Sequence, residues 1–403
     1  MTSRRQLLKA AVVAGSPALL AQTQRRRNEP TMFAYVGAYS SPDGPEGSRG
    51  HGEGIYLFAV NLATGALSQR EVFANPSNPS WLALDPSRTH LYSGNEVNNF
   101  EGSSGSVTAY DIERTSGRLT ALNTVSSGGA GPAHISVHPS GRYVLAANYA
   151  GGTIAVLPIR PNGELGPATD IRHDEGTPGP AHATSAPPGS FASGGHDGPH
   201  AHMIHADPSG RFVLSTDLGL DRIFIWKLDL DSGKLATADP PSVSVPPGDG
   251  PRHFAFHPSG RWMYSLQEES STVIAFDYDA AIGRLTAKQT VSTLPGGFAG
   301  TNFTSEIAVS PDGRFLYAAN RLHDTIAWFA IGPSGNLTHS GETSTRGDYP
   351  RSFTIDPAGV FLYCFNQRSD AIVTFRIDRQ TGALAFTGQY TPVGTPAVMV
   401  FLT

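Results

Sequence analysis

A single cysteine, Cys364, occurs in the 403 residues of the chain. No intramolecular disulfide can therefore staple the fold, and no thiolate cluster can hold a metal. Positive charge is not in surplus either. The formal net charge is -5, and no cluster of Lys and Arg follows one face, so nothing steers a polyanion and nucleic acid is excluded as a partner. Long stretches of helix-forming residues are scarce. What is plentiful is punctuation: 45 Gly and 31 Pro, the mark of many short strands joined by tight turns. With 39% hydrophobic residues the chain can bury a large core. Its length allows two or three domains or a single repetitive β architecture.

At the N-terminus, "TSRRQLLKAAVVAGSPALLAQ" places Arg4 and Arg5 ahead of Leu7, Leu8 and Lys9. An apolar run of small residues from Ala10 to Ala21 follows. This is the pattern of a twin-arginine export signal. The run is too short to span roughly 30 Å of hydrocarbon, so no membrane span is expected in the mature chain, which would be exported, to a periplasm in a two-membrane cell. Loss of residues 1 to 21 removes three cations and no acid, taking the charge from -5 to about -8. Residues 1–31 are thus read as signal and linker, and residues 32–403 as one domain.

That domain is built on one hairpin used repeatedly. "PRHFAFHPSGRWMYSLQE" from Pro251 has counterparts from Pro79, Pro132, Ala201, Thr304 and Pro350. Each alternates apolar and polar residues, turns at Pro-Ser-Gly or a close variant, and alternates again, the period of half-buried strands. A third strand, a turn such as "ATGAL" or "DSGKL", and a fourth strand complete every unit. One register position, six residues before the turn proline, falls on Ser80, Ala133, His202, Arg252, Ser305 and Arg351, spaced 53, 69, 50, 53 and 46 residues apart. Four-stranded repeats of about fifty residues are propeller blades. The seventh is split: "TPAVMVFL" from Thr395 supplies its innermost strand and "MFAYVGAY" from Met32 its second. An all-β, seven-bladed propeller closed by the two chain ends is predicted, a ring without a long free sheet edge. The Gly- and Pro-rich stretch 172–201 reads as an inserted loop, and Ser40 to Gly54 as a second insertion.

In such a ring the starts of the innermost strands meet at one mouth of the central channel, and the ends of the second strands return to it. His202, Arg252 and Arg351 therefore converge among small residues, with His134, His253 and Glu306 at the neighbouring position. Glu268, Arg321 and Gln367 come from the second-strand ends, as do Glu96 and Tyr149. Arg252 and Glu268, the two ends of one hairpin, should be neighbours. Asn95, Asn148, Asn320 and Asn366 end the same strands and are read as reaching the mouth, with tying blades together as the alternative. His138 and His257 precede the turn prolines at the far side and are read as structural. His196, His200 and His202 lie in flexible Gly-rich spacing, a weak metal signal, and no metal is assigned.

Taken together, "GPRHFAFHPSGRWMYSLQE", "HAHMIHADPSGRFV", "SEIAVSPDGRFLYAANR", "YPRSFTIDPAGVFLY" and "AYVGAYS" resemble the lactonase family of seven-bladed propellers. That group contains bacterial 6-phosphogluconolactonase and the fungal carboxy-muconate lactonizing enzyme. The resemblance implies an active site at one channel mouth, a small-molecule lactone as substrate, and neither metal nor organic cofactor. His202, Arg252, Glu268 and Arg351 match family positions for catalysis or anion binding; Glu306 stands where relatives carry an aspartate. Lactone hydrolysis needs a base for water and cationic donors at the carbonyl oxygen. His202 or Glu268 is the expected base, Arg252 the oxyanion donor, and Arg351 with Arg321 the grip on a carboxylate or phosphate. His253, His134, Glu306 and Gln367 are the remaining candidates for substrate contact. Arg252→Ala is expected to remove turnover at unchanged melting temperature. A lactonizing cycloisomerase and a non-catalytic binding propeller remain as other readings, and oligomeric state is not legible.

Overall fold

The structure, a computed structural model, describes residues 31–44 and 47–403; the proposed export signal lies outside the described residues. Seven antiparallel sheets of four strands each make up the fold. We number the blades in chain order, with the split blade last. Their innermost strands are Pro79–Leu84, Pro132–Val137, Ala201–Ala206, Pro251–Phe256, Thr304–Val309, Pro350–Ile355 and Pro396–Leu402. In blade 7 the strand Thr31–Ala38 pairs on one side with Pro396–Leu402 and on the other with Gly54–Asn61, which closes the ring.

The core is distributed between blades. Trp262, Tyr264, Leu266 and Val273 of blade 4 pack on Ile307, Leu316 and Phe329 of blade 5, and Phe361, Tyr363 and Phe365 of blade 6 on Ala34, Val36 and Phe58 of blade 7. Each large apolar side chain buried there contributes on the order of 1.5–3 kcal/mol. Five second strands place a tyrosine in these seams whose hydroxyl donates to a turn glycine carbonyl of the next blade. Tyr35 reaches Gly117 at 2.7 Å, Tyr92 Gly163 at 3.1 Å, Tyr264 Gly335 at 3.0 Å, Tyr317 Gly382 at 2.9 Å and Tyr363 Gly65 at 3.0 Å. An aromatic body in an apolar seam with its polar tip satisfied is what such a position selects. In the Pro-Ser-Gly-Arg turn of blade 4, Gly260 has φ +68°, a conformation that a side chain would strain.

All seven innermost strands share one irregularity. In blade 4, Pro251 pairs with Gln267 and His253 with Leu266, so Arg252 is skipped in a β-bulge. Ser80, Ala133, His202, Arg351 and Ala397 are skipped in the same way, and in blade 5 both Ser305 and Glu306 are. A bulge re-aims the side chain it contains. Here it lets Arg252 and His253, adjacent in sequence, both be buried, with 3% and 1% exposure.

The large insertion is slightly shorter than its composition suggests. Arg172 and His173 pair with Ile154 and Thr153 in blade 2, and Ala201 pairs with Asp217 in blade 3, so the loop proper is 174–200. Gly and Pro content does not register where backbone pairing ends. The Ser40–Gly54 insertion joins the second and third strands of blade 7.

Candidate active site

At the mouth where the bulges lie is a cavity of about 430 Å³, within the range of small-molecule sites. His202, Glu268, Arg321 and Arg351 line it, together with Glu96, Tyr149, Asn98, Asn99, Ser41 and Asp43. Arg252, His253, His134, Glu306 and Gln367 do not form its wall. They are buried side chains of the same region.

Glu268 is the centre of the charged array. Its Oε2 lies 2.8 Å from Arg252 Nε and its Oε1 2.7 Å from Arg321 Nη2. Arg321 is in turn held between the rings of Phe303 and Tyr349, at 5.3 Å and 5.4 Å, and donates to the Tyr349 hydroxyl at 3.3 Å. Arg252 also donates to the Ser305 carbonyl and lies 3.4 Å from His253 Nε2. Burial and the nearby Arg351 press its guanidinium down to about 10, against the pull of Glu268; it remains a cation at neutral pH.

Behind this pair runs a second polar chain. His253 Nδ1 is 3.2 Å from Glu306 Oε1, and Ser352 Oγ donates to Glu306 Oε2 at 2.9 Å. Burial favours protonation of Glu306, but His253 and Arg252 outweigh it and hold the carboxyl below its ordinary range. His253 also meets the rings of Trp81 at 5.1 Å and His134 at 5.7 Å. Burial, with His253 as a near neighbour, keeps His134 neutral.

His202 makes edge contacts with His253 at 5.0 Å and Tyr149 at 5.4 Å. Burial, then the charges of Arg252, His253, Arg351 and Arg321, lower its pKa well below the usual imidazole value. Its Nδ1 has no hydrogen-bond partner among the described residues. That nitrogen is buried, so the ring, held toward its neutral form in the cavity wall, would accept a proton through Nε2.

The opposite wall was less legible. The second strand of blade 1, His90–Phe100, runs past the level at which the equivalent strand of blade 4, Trp262–Gln267, stops. The extension supplies Glu96, Asn98 and Asn99. Glu96 Oε2 accepts from the Tyr39 hydroxyl at 2.8 Å, and its Oε1 is 3.8 Å from Arg351 Nη2. Asn78 fastens residues 40–43 beside it: its Oδ1 accepts from the amides of Ser40 and Ser41 at 2.8 and 2.6 Å, and its Nδ2 donates to the carbonyls of Asp43 and Glu96 at 2.9 and 3.2 Å. Glu96 follows Asn95 as Glu268 follows Gln267, so the repeat alignment carried the signal that marks it.

The histidines of the inserted loop disperse. His196 bridges Asp221 and Glu269, at 3.2 Å each, and His200 stacks on Tyr149 at 4.5 Å. Among the described residues, no group of three or more His, Cys, Asp or Glu side chains is arranged to hold a metal. His138 and His257 cap their hairpins on Gly210 and Gly313 carbonyls of the next blades, at 3.0 and 2.9 Å.

Comparison with known proteins places the ring in a wider group. The family model "Lactonase, 7-bladed beta-propeller" matches residues 33–401. A Bacillus subtilis protein named 6-phosphogluconolactonase is 35% identical over 372 residues, 92% of this chain and 98% of its own. A Pectobacterium carotovorum protein of the same name is 31% identical, over 81% of this chain and 89% of its own. The solved structure of a Pseudomonas aeruginosa periplasmic gluconolactonase superimposes with a TM-score of 0.82 at 31% identity, covering 93% of this chain and 99% of that one.

Proposed function

This chain belongs to the seven-bladed β-propeller lactonase family, and from that premise we propose that it hydrolyses a sugar lactone at the channel mouth. The observation that carries the reading is that a neutral His202 shares one cavity wall with Arg321, Arg351 and Glu268. His202 accepts a proton from water as the water oxygen attacks the lactone carbonyl carbon. The carbonyl oxygen becomes an alkoxide, for which Arg321 and Arg351 are the cationic side chains in the wall. Collapse breaks the bond between that carbon and the ring oxygen. The departing oxygen takes the proton back from the imidazolium, and the product is the open hydroxy acid.

Glu268 suits a positioning role better than that of base, since both its oxygens already face guanidinium groups. Arg252, buried behind Glu268 and outside the cavity wall, suits the same role, so the oxyanion contact passes to Arg321 and Arg351. No step in this sequence calls for a metal or organic cofactor. Among the described residues no helix is long and apolar enough to cross a membrane. Export is supported by the Arg4–Arg5 segment and by the periplasmic relative. Acid release from gluconolactone and from its 6-phosphate, followed by titration against the spontaneous rate, tests the reading. Acceleration over buffer is expected, and rates equal to buffer on a panel of lactones would replace hydrolysis with ligand binding.

A further inference from the structure

The guanidinium groups at the mouth come already matched with carboxylates. Glu268 takes Arg252 and Arg321. Glu96 of blade 1, one blade removed from blade 6, takes Arg351 at 3.8 Å. Asp43 adds another carboxylate to the wall. Among the described residues, counting Arg252 and Glu306 behind the wall, three cations face four anions, so they leave no excess positive charge at the cavity. A phosphate binding site of ordinary build presents unmatched Arg or Lys, or a run of backbone amides.

Glu96 is also not free to swing away. Its carboxylate is held by the hydroxyl of Tyr39, which is 1% exposed. Its backbone is fixed on both sides by Asn78, which accepts from the Glu96 amide at 2.9 Å and donates to its carbonyl at 3.2 Å. An incoming phosphate reaching for Arg351 would meet this carboxylate at close range, in surroundings that screen charge poorly. The hydroxyls of a polyol would meet it as a strong acceptor, with Asn98 and Asn99 beside it offering donors and acceptors.

We propose that Glu96 is a specificity residue that fits this site to an uncharged polyhydroxy lactone and turns away its phosphorylated counterpart. The inference rests on the lactone reading above and deepens it. Charge repulsion of this kind excludes a wrong ligand as effectively as a clash.

The test compares kcat/KM for gluconolactone and its 6-phosphate in the wild type, Glu96→Gln and Glu96→Asp. Binding of gluconate and of 6-phosphogluconate is measured in parallel by calorimetry, which needs no turnover. The wild type should favour the unphosphorylated lactone at least tenfold. Glu96→Gln, which keeps an acceptor for Tyr39, should raise the ratio of phosphorylated to unphosphorylated kcat/KM by about 10- to 100-fold, mainly through KM. Glu96→Asp, which keeps the charge, should stay near the wild-type ratio. A wild type that prefers the phosphorylated lactone, or a ratio unmoved in Glu96→Gln, overturns the assignment while leaving lactone hydrolysis intact. Failure both to hydrolyse the two lactones and to bind the two acids would overturn the lactone reading itself, and this inference with it.

Discussion

Arg252 Nε and Glu268 Oε2 stand 2.8 Å apart at the two ends of one hairpin, with side-chain exposures of 3% and 13%. A pair this deeply placed is asymmetric in its energetics. Keeping both partners is close to neutral against an apolar replacement, whereas losing one strands the other and costs about 3–5 kcal/mol.

Arg252→Ala should therefore lower stability as well as turnover, contrary to what the sequence alone suggests for this residue. Arg321 still holds Glu268, which puts the loss at the lower end of that range. Denaturant unfolding measures the cost. Adding Glu268→Gln to Arg252→Met should lower stability further, because it takes the carboxylate from the buried Arg321, and should restore none of the turnover. Unchanged stability in Arg252→Ala would mean that the guanidinium is solvated rather than buried.

His202→Asn should reduce kcat by about 10²- to 10⁴-fold, the usual yield of a positioned base. The base works when neutral, and burial with the surrounding cations puts its folded pKa below the ordinary 6.5. The acid limb of kcat/KM should thus lie below pH 6.5, with a plateau through neutrality. Stability has the same sign: the folded state resists the proton that the unfolded chain accepts, so stability falls as pH drops below 6.5. A limb above pH 7, or full activity in His202→Asn, would remove this residue from the chemistry.

Blade number, ring closure and the Arg252–Glu268 contact could be read from sequence because each depends on a local rule. Period-two alternation marks strands, Pro-x-Gly marks the turn, and antiparallel pairing returns a hairpin's end to its start. The bulge at Arg252 is a matter of backbone pairing and leaves no such trace. Without it, His253 appears to face away from Arg252, although both are buried. The contact of Glu96 with Arg351 joins blades 1 and 6 with Tyr39 of blade 7. Proximity across the ring follows from its curvature, which no single repeat encodes.

Ring closure rests on the pairing of Phe33 with Leu402 through Ala38 with Pro396, and on Met399 and Phe401 in the adjoining core. Deleting residues 396–403 should leave the strand Thr31–Ala38 as a bare apolar edge, prone to aggregate. A synthetic peptide PAVMVFL supplied in trans should restore monomer by strand addition. Light scattering and far-ultraviolet circular dichroism follow both. A truncated chain that stays monomeric and folded would show that closure is dispensable.

The inserted loop predicts an alkaline weakness. Burial alone would lower the pKa of His196, whose side chain is 1% exposed, but its contacts with Asp221 and Glu269 outweigh burial and raise it to about 10. That stabilisation is complete below pH 6.5, where the unfolded imidazole is also charged, and is lost as pH rises through 10. Asp174, at the start of the loop, is buried beside the Asp217 carboxyl, and two such groups are not both ionised at low cost. Burial and the neighbouring charge hold the Asp174 carboxyl well above its usual range. A proton kept in the folded state and released on unfolding acts in the same direction, so its contribution also falls as pH rises. The melting temperature should decline between pH 7 and pH 10, accompanied by earlier proteolysis within 174–200. Asp174→Asn removes the titrating proton and should flatten the decline, whereas His196→Gln should be less stable at pH 7 and flatter above it. A melting temperature constant to pH 10 in the wild type would mean that neither proton is held by the fold.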